Sequence, residues 1–228
     1  MANLLIKSLT TSILKATTLV VAFVLFTGFQ QPVVNDPLAV NLLKETTASY
    51  KKNKSYCIEF TRINTSVQGK EMGREKGKIW VDGSKYRLEM ADQQVICDGK
   101  TMWAYLQESK EVNVYDYDET EDELAPNKVF DFYKEGCKVL YLGDVKSGKK
   151  VLASIDVETT NRKSNITKYR FVIDKKAKKL TRWILFEKGT NTQIAFVLNK
   201  YTPNPVIKEG MFAYNKSDFP GAKLIDLR

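Results

Sequence analysis

From Ser55 onward this chain repeats with a period of two. Tyr56, Ile58 and Phe60 alternate with Cys57, Glu59 and Thr61, and Gly77, Ile79 and Val81 alternate with Lys76, Lys78 and Trp80. After Asp82-Gly83, Tyr86, Leu88 and Met90 alternate with Lys85, Arg87 and Glu89. Successive side chains of a strand point to opposite faces, so each run predicts a strand with one buried face. Residues 94–105, QVICDGKTMWAY, turn the pattern into a hairpin: two short apolar runs meet at Asp98-Gly99-Lys100, where the turn needs positive φ angles that Asp and Gly tolerate. The rhythm resumes at Val151, Ala153, Ile155 and Val157, at Tyr169, Phe171 and Ile173, over residues 180–186, and at Ile194, Phe196 and Leu198. Turn residues at 147–148, 174–178 and 188–191 separate these runs, and no repeat or linker divides them. The prediction is a mainly β chain with a single sheet.

Two segments read as helices. Asp36 can cap free N–H groups and Pro37 suits the first helical position; Leu38, Leu42, Leu43 and Tyr50 then form an apolar stripe that ends at Lys51-Lys52-Asn53. Ala125-Pro126-Asn127 opens a shorter one, with Val129, Phe130 and Tyr133 at helical spacing and Gly136 as its stop. Residues 116–123, DYDETEDE, read as a solvated acidic loop: Asp116 and Asp118 fit the alternation of a calcium loop, but Thr120 and Glu121 do not. No metal site is expected.

Residues 1–15 carry Lys7 and Lys15 and no acid, and the mostly apolar run of residues 16–29 is shorter than the ~20 residues of a usual membrane span. Residues 1–31 therefore read as a secretory signal peptide, with an uncleaved anchor as the alternative, and residues 32–228 as a single domain. Export would place Cys57, Cys97 and Cys137 in an oxidising compartment, where three cysteines allow at most one internal bridge; small buried apolar residues are the other reading.

Composition excludes several chemistries. The chain has no histidine, which removes the usual general base, the commonest metal ligand and every Ser-His or Cys-His nucleophile. Gly99-Lys100-Thr101 resembles the end of a phosphate loop, but position 94 is Gln where that loop needs glycine, and the flanking runs are strands. No enzyme and no cofactor is expected. The net charge is +9, from 36 basic and 27 acidic residues, but the basic residues are interleaved with acids in sequence, so a solvated surface is expected rather than a specific anionic partner, whether nucleic acid, an anionic membrane or an acidic protein. What remains is the apolar face of the sheet, which can be plain core or the wall of a cavity for an apolar ligand.

Several motifs together resemble the outer-membrane lipoprotein carrier proteins, the LolA family. These are the helix from Asp36, Ser55-Tyr56-Cys57-Ile58-Glu59-Phe60, Gly77-Lys78-Ile79-Trp80-Val81, and above all the stretch from Val95 through Asp98-Gly99-Lys100-Thr101 to Trp103 and Tyr105. The tail from Phe212 to Asp226 is also similar, whereas from Cys137 to Lys200 only the strand rhythm agrees. The resemblance implies an incomplete antiparallel β-barrel of about 10–11 strands with short α-helices as a lid over a hydrophobic cavity. It implies a monomeric periplasmic carrier of lipoprotein acyl chains, loaded by an inner-membrane lipoprotein release complex and unloaded at an outer-membrane acceptor. The cavity aromatic of the family falls on Tyr86, with Leu88 and Val95 as its neighbours and Tyr56 and Phe60 at first-strand positions. Ile58, Ile79 and Val81 share those strand faces and join the expected cavity, while Leu38, Leu42, Val129 and Phe130 are assigned to the lid. Proteobacterial members place an Arg-Pro pair after the Ile-Trp-Val strand, and the arginine latches the lid; this chain has Asp82-Gly83-Ser84, so either Arg87 or a lysine substitutes or the lid closes otherwise, and no latch residue is assigned. The alternative is a lipid- or lipoprotein-binding periplasmic sensor without transport activity. The sequence leaves the face of Trp103 open.

Overall fold

The computed structural model describes residues 35–66, 68–117, 137–159, 164–190 and 192–228. The expected signal peptide, most of the acidic loop and the second helix with Val129 and Phe130 lie outside the described residues. Strand formation follows the alternation closely. The strands are β1 (Ser55–Ser66), β2 (Glu71–Asp82), β3 (Lys85–Met90), β4 (Gln93–Cys97), β5 (Thr101–Leu106) and β6 (Glu111–Asp116) in the first half. The second half contributes β7 (Cys137–Ser147), β8 (Lys150–Thr159), β9 (Ile166–Asp174), β10 (Lys179–Glu187), β11 (Thr192–Pro203) and β12 (Lys223–Asp226).

The twelve strands of the described residues join one sheet in the order β12-β6-β5-β4-β3-β2-β1-β11-β10-β9-β8-β7. Pairing is antiparallel throughout except for β12, which runs parallel to β6. The two halves are sewn together by β1 and β11, paired from Tyr56↔Pro203 to Ser66↔Thr192. The sheet stays open, with β12 and β7 at its edges. It therefore has one more strand than the upper end of the expected range, because the C-terminal segment returns to add β12.

The helix α1 (Pro37–Lys51) begins as the sequence indicates: the Asp36 carboxylate accepts from the N–H groups of Leu38 at 2.8 Å and Ala39 at 3.4 Å, with Pro37 at the first helical position. Its buried stripe is Ala39, Leu42, Leu43, Thr46, Thr47 and Tyr50. Leu38, expected in that stripe, is instead 71% exposed. A stripe holding Ala39, Leu42, Leu43 and Thr46 points one face of the helix at the sheet, and a residue one position before Ala39 is turned away from it. Leu42 packs with Leu43 into a core made by Val139, Ala153, Ile155, Val157, Tyr169, Phe171 and Ile173 of β7, β8 and β9. Both helix ends are tied down. Asp36 N–H donates to the Val139 carbonyl at 2.9 Å, and Ser49 Oγ donates to the Lys178 carbonyl at 2.8 Å.

The opposite face of the first half is also covered. Trp103 and Tyr105 turn outward, Trp103 stacking on Tyr214 at 5.8 Å and Tyr105 meeting Phe219 at 4.9 Å, with Ile96 and Val112 buried beneath them. The C-terminal segment thus supplies an outer layer, and this settles which way Trp103 faces. No disulfide joins Cys57, Cys97 and Cys137, and Cys57 and Cys97 are buried.

Candidate functional site

Register converts the alternating residues into rows across the inner face of the sheet, the face that also carries α1. Ile58, Ile79, Leu88, Val95 and Ala104 stand opposite one another in turn on β1 to β5 and form a continuous apolar row. A second row at the β1 start runs Tyr56, Val81, Tyr86, Cys97 and Met102. A third, at the other side, contains Phe60, Gly77 and Met90. The hairpin in residues 94–105 holds this register. Asp98 Oδ1 accepts from the N–H groups of Lys100 and Thr101, each at 2.8 Å, and Gly99 has φ 92°. A Cβ at Gly99 would also lie 2.6 Å from Ser84 Oγ of the neighbouring turn, so glycine is required there twice over.

These rows line a cavity of about 400 Å³. Leu180, Trp183 and Leu185 of β10 and Phe196 and Leu198 of β11 complete it, so the sheet curls enough for β5 and β10 to share one space. Aromatic rings continue across the floor: Phe60 meets Phe196 edge-on at 5.6 Å, and Phe196 meets Trp183 at 5.3 Å. The Phe60 ring lies over Gly77, where a Cβ would come within 2.3 Å of its Cζ. Gly77 thus provides the space that lets the ring lie flat against the sheet.

Seven of the eight residues expected in the cavity line it: Tyr56, Ile58, Phe60, Ile79, Tyr86, Leu88 and Val95. The eighth, Val81, does not; it is 2% exposed and packs with Tyr56, Tyr86 and Cys97 behind the end of the cavity. Of the lid residues, Leu42 is buried under α1, in a core that also takes in the cavity-lining Leu180 and Leu185. Arg87 faces outward, where it pairs with Glu89 at 2.8 Å and reaches the Met211 carbonyl at 3.5 Å, so it is not turned toward the cavity.

The two ends of the cavity differ. At the β1 start, Tyr56 joins Tyr50 of α1 and Tyr201 of β11 in an aromatic cluster, with ring centroids 6.4 Å and 5.9 Å from Tyr56. Lys179 Nζ sits over the rings of Tyr50 and Tyr201 at 4.3 and 4.5 Å. Burial pushes the Tyr50 and Tyr56 hydroxyls well above the usual tyrosine range, so both remain neutral. Tyr86 directs its hydroxyl at Met102 Sδ, 3.1 Å away. At the other end lies Arg62, the one charged side chain in the lining among the described residues. Its guanidinium is held by Glu75 and Asp92, and Asp92 N–H donates to Glu75 at 3.0 Å. Arg62 was not singled out from the sequence, although its parity with Tyr56, Ile58 and Phe60 signals the same face. Among the described residues no cluster of His, Cys, Asp or Glu could hold a metal ion.

An open, mostly antiparallel sheet with a helix and an apolar cavity on its inner face defines a class of binding folds, and the sequence narrows that class. Residues 51–215 match the family described as outer membrane lipoprotein carrier protein LolA, and the chain belongs to that family. An uncharacterized conserved protein from Thermus thermophilus has a similar fold, at 9% identity and a TM-score of 0.54, over 83% of this chain and 99% of that one. The LolA superfamily protein NE2245 from Nitrosomonas europaea is 8% identical, with a TM-score of 0.43 over 77% and 97% of the two chains. A chain of the Pseudomonas aeruginosa MucA/MucB complex is 14% identical, with a TM-score of 0.44 over 78% of this chain and 61% of that one. No curated protein matches the sequence.

Proposed function

We propose that the protein is a periplasmic carrier that takes up the acyl chains of lipoproteins in the inner-face cavity and moves them from the inner to the outer membrane. Family membership supports the class of cargo. The observation that carries the reading is the cavity itself: about 400 Å³ walled by five successive strands of apolar side chains, with Arg62 and Gln93 as its only charged or amide groups among the described residues. That volume lies in the range of roughly 300–1,000 Å³ typical of small-ligand sites, and its mostly apolar lining favours an apolar ligand. On this reading residues 1–31 are the export signal, residues 32–228 are the carrier domain, and the partners are an inner-membrane release complex and an outer-membrane acceptor.

The open side of the sheet suits a carrier. Each methylene removed from water contributes about 0.8 kcal/mol, so a long acyl chain fully enclosed would gain about 10 kcal/mol and leave slowly. A cavity open to one side buries only part of the chain and keeps release fast. Depleting the protein tests the role: acylated proteins of the outer membrane should accumulate in the inner membrane, as read by fractionation, and unchanged sorting would refute it.

A further inference from the structure

Several basic residues that lie far apart in sequence meet at one end of the sheet. Antiparallel order puts the β7–β8 turn, the β9–β10 turn and the C-terminal end of α1 on the same side: Lys175 N–H donates to the Val151 carbonyl at 3.0 Å, and Ser49 Oγ to the Lys178 carbonyl at 2.8 Å. Asp144, Asp174 and Glu45 also lie there, but each is occupied by a lysine, Lys175, Lys150 and Lys178 respectively. Lys146, Lys149 and Lys176 have no acidic partner among the described residues, so the end carries excess positive charge.

The same end presents apolar surface. Residues 144–151 are all exposed, with Val145 60% and Val151 38% exposed. Val151 shares the face of the buried Ala153 and Ile155, while Val145, opposite Leu152, lies on the other face of the ribbon. The tip is therefore apolar on both faces and ringed by lysines. A flat protein partner would use one face of such a ribbon. A lipid headgroup layer surrounds an inserted tip on both sides, while lysine stems lie along the apolar boundary and their ammonium groups stay among phosphates.

We propose that this end of the sheet docks on an anionic lipid bilayer, with the β7–β8 tip entering the headgroup region. The inference is independent of what the cavity holds. A lysine near an anionic surface strengthens binding about fivefold, and the attraction is screened by salt.

The test is vesicle co-sedimentation of the protein purified from the cells that make it, comparing vesicles with phosphatidylglycerol against pure phosphatidylcholine. The ratio of the two affinities isolates the charge-dependent part from any apolar binding by other segments. Replacing Lys146, Lys149 and Lys176 together by Gln should lower that ratio about 100-fold, three lysines at about fivefold each. The same change at Lys70, Lys110 and Lys188, at the opposite end of the strands, should leave most of it. Val145→Ser with Val151→Ser should weaken binding to both vesicles, and circular dichroism confirms that each variant is folded. Equal binding to the two vesicles, or equal losses from the two lysine triplets, would overturn the proposal. So would vesicle binding indifferent to the first triplet together with loss of an envelope protein cross-linked at position 146, which would assign this end to an acidic protein surface.

Discussion

Leu88 stands in the middle of the apolar row, between Ile79 and Val95, and is only half-buried because its side chain lines the cavity. Leu88→Glu should leave the empty protein folded, since water in the open cavity can solvate the new carboxylate. An acyl chain entering the cavity removes that water, and burying an unpaired carboxylate costs several kcal/mol even after relaxation. With ~3 kcal/mol as the lower end, affinity falls by at least about 100-fold at neutral pH. The sign of the pH dependence follows. Ligand raises the glutamate pKa above its free value of about 4.3, so binding by the variant strengthens as pH falls toward 4, while the parent protein stays nearly flat. Leu88→Gln, with no charge to lose, should show an intermediate loss and no recovery in acid. Trp183 lines the cavity and supplies the signal in a fluorescence titration with a long-chain fatty acid, while Trp103 is stacked on the outer face. Thermal unfolding checks the fold. Binding by Leu88→Glu within twofold of the parent at pH 8 would refute the placement of the ligand in this cavity.

Gly77→Ala should force the Phe60 ring off the sheet, because the added Cβ would lie 2.3 Å from its Cζ; we expect a loss of about 1–3 kcal/mol in denaturant melts together with weaker acyl binding as the ring moves into the cavity. Ile96→Ala, under Phe219 on the outer face, should cost about 2–5 kcal/mol of stability yet leave acyl affinity unchanged, separating the outer layer from the cavity. Asp156 is 4% exposed; burial pushes its carboxyl up, but hydrogen bonds from Arg170 at 2.6 and 2.8 Å and an ion pair with Lys168 at 3.0 Å outweigh this and hold it below the usual range. A carboxylate depressed in the folded state stabilises above its unfolded pKa of about 3.9, and that share is lost as pH falls through the folded value. Asp156→Asn should therefore be less stable than the parent at pH 7, with the gap closing below about pH 4 in urea melts.

How much of this was legible in the sequence differs from element to element. The first five strands were legible because alternation survives burial of only one face, and the Asp98-Gly99 turn fixed the hairpin locally. The rows were not legible, since they depend on which strand pairs with which, and the β1–β11 pairing joins residues more than a hundred positions apart. For that reason the β10 and β11 walls, Trp183 and Phe196 among them, were absent from the expected cavity. Leu38 was misplaced because leucine at the start of a helix looks like part of its stripe, while the buried threonines Thr46 and Thr47 carry no hydrophobic signal. Trp103 could be oriented only once Tyr214 and Phe219 were seen to cover the outer face. The basic end was hidden for a related reason: its lysines lie in two turns far apart in sequence.

The account rests on an acyl chain occupying the cavity between β1–β5 and β10–β11. The direct measurement is native mass spectrometry of the protein purified without detergent from its own cell envelope, followed by lipid and peptide analysis of what it releases. The account predicts an acylated protein or acyl lipid bound at one site in the parent and lost in Leu88→Glu. A parent protein carrying no acyl species, or one whose bound lipid survives Leu88→Glu unchanged, would contradict it.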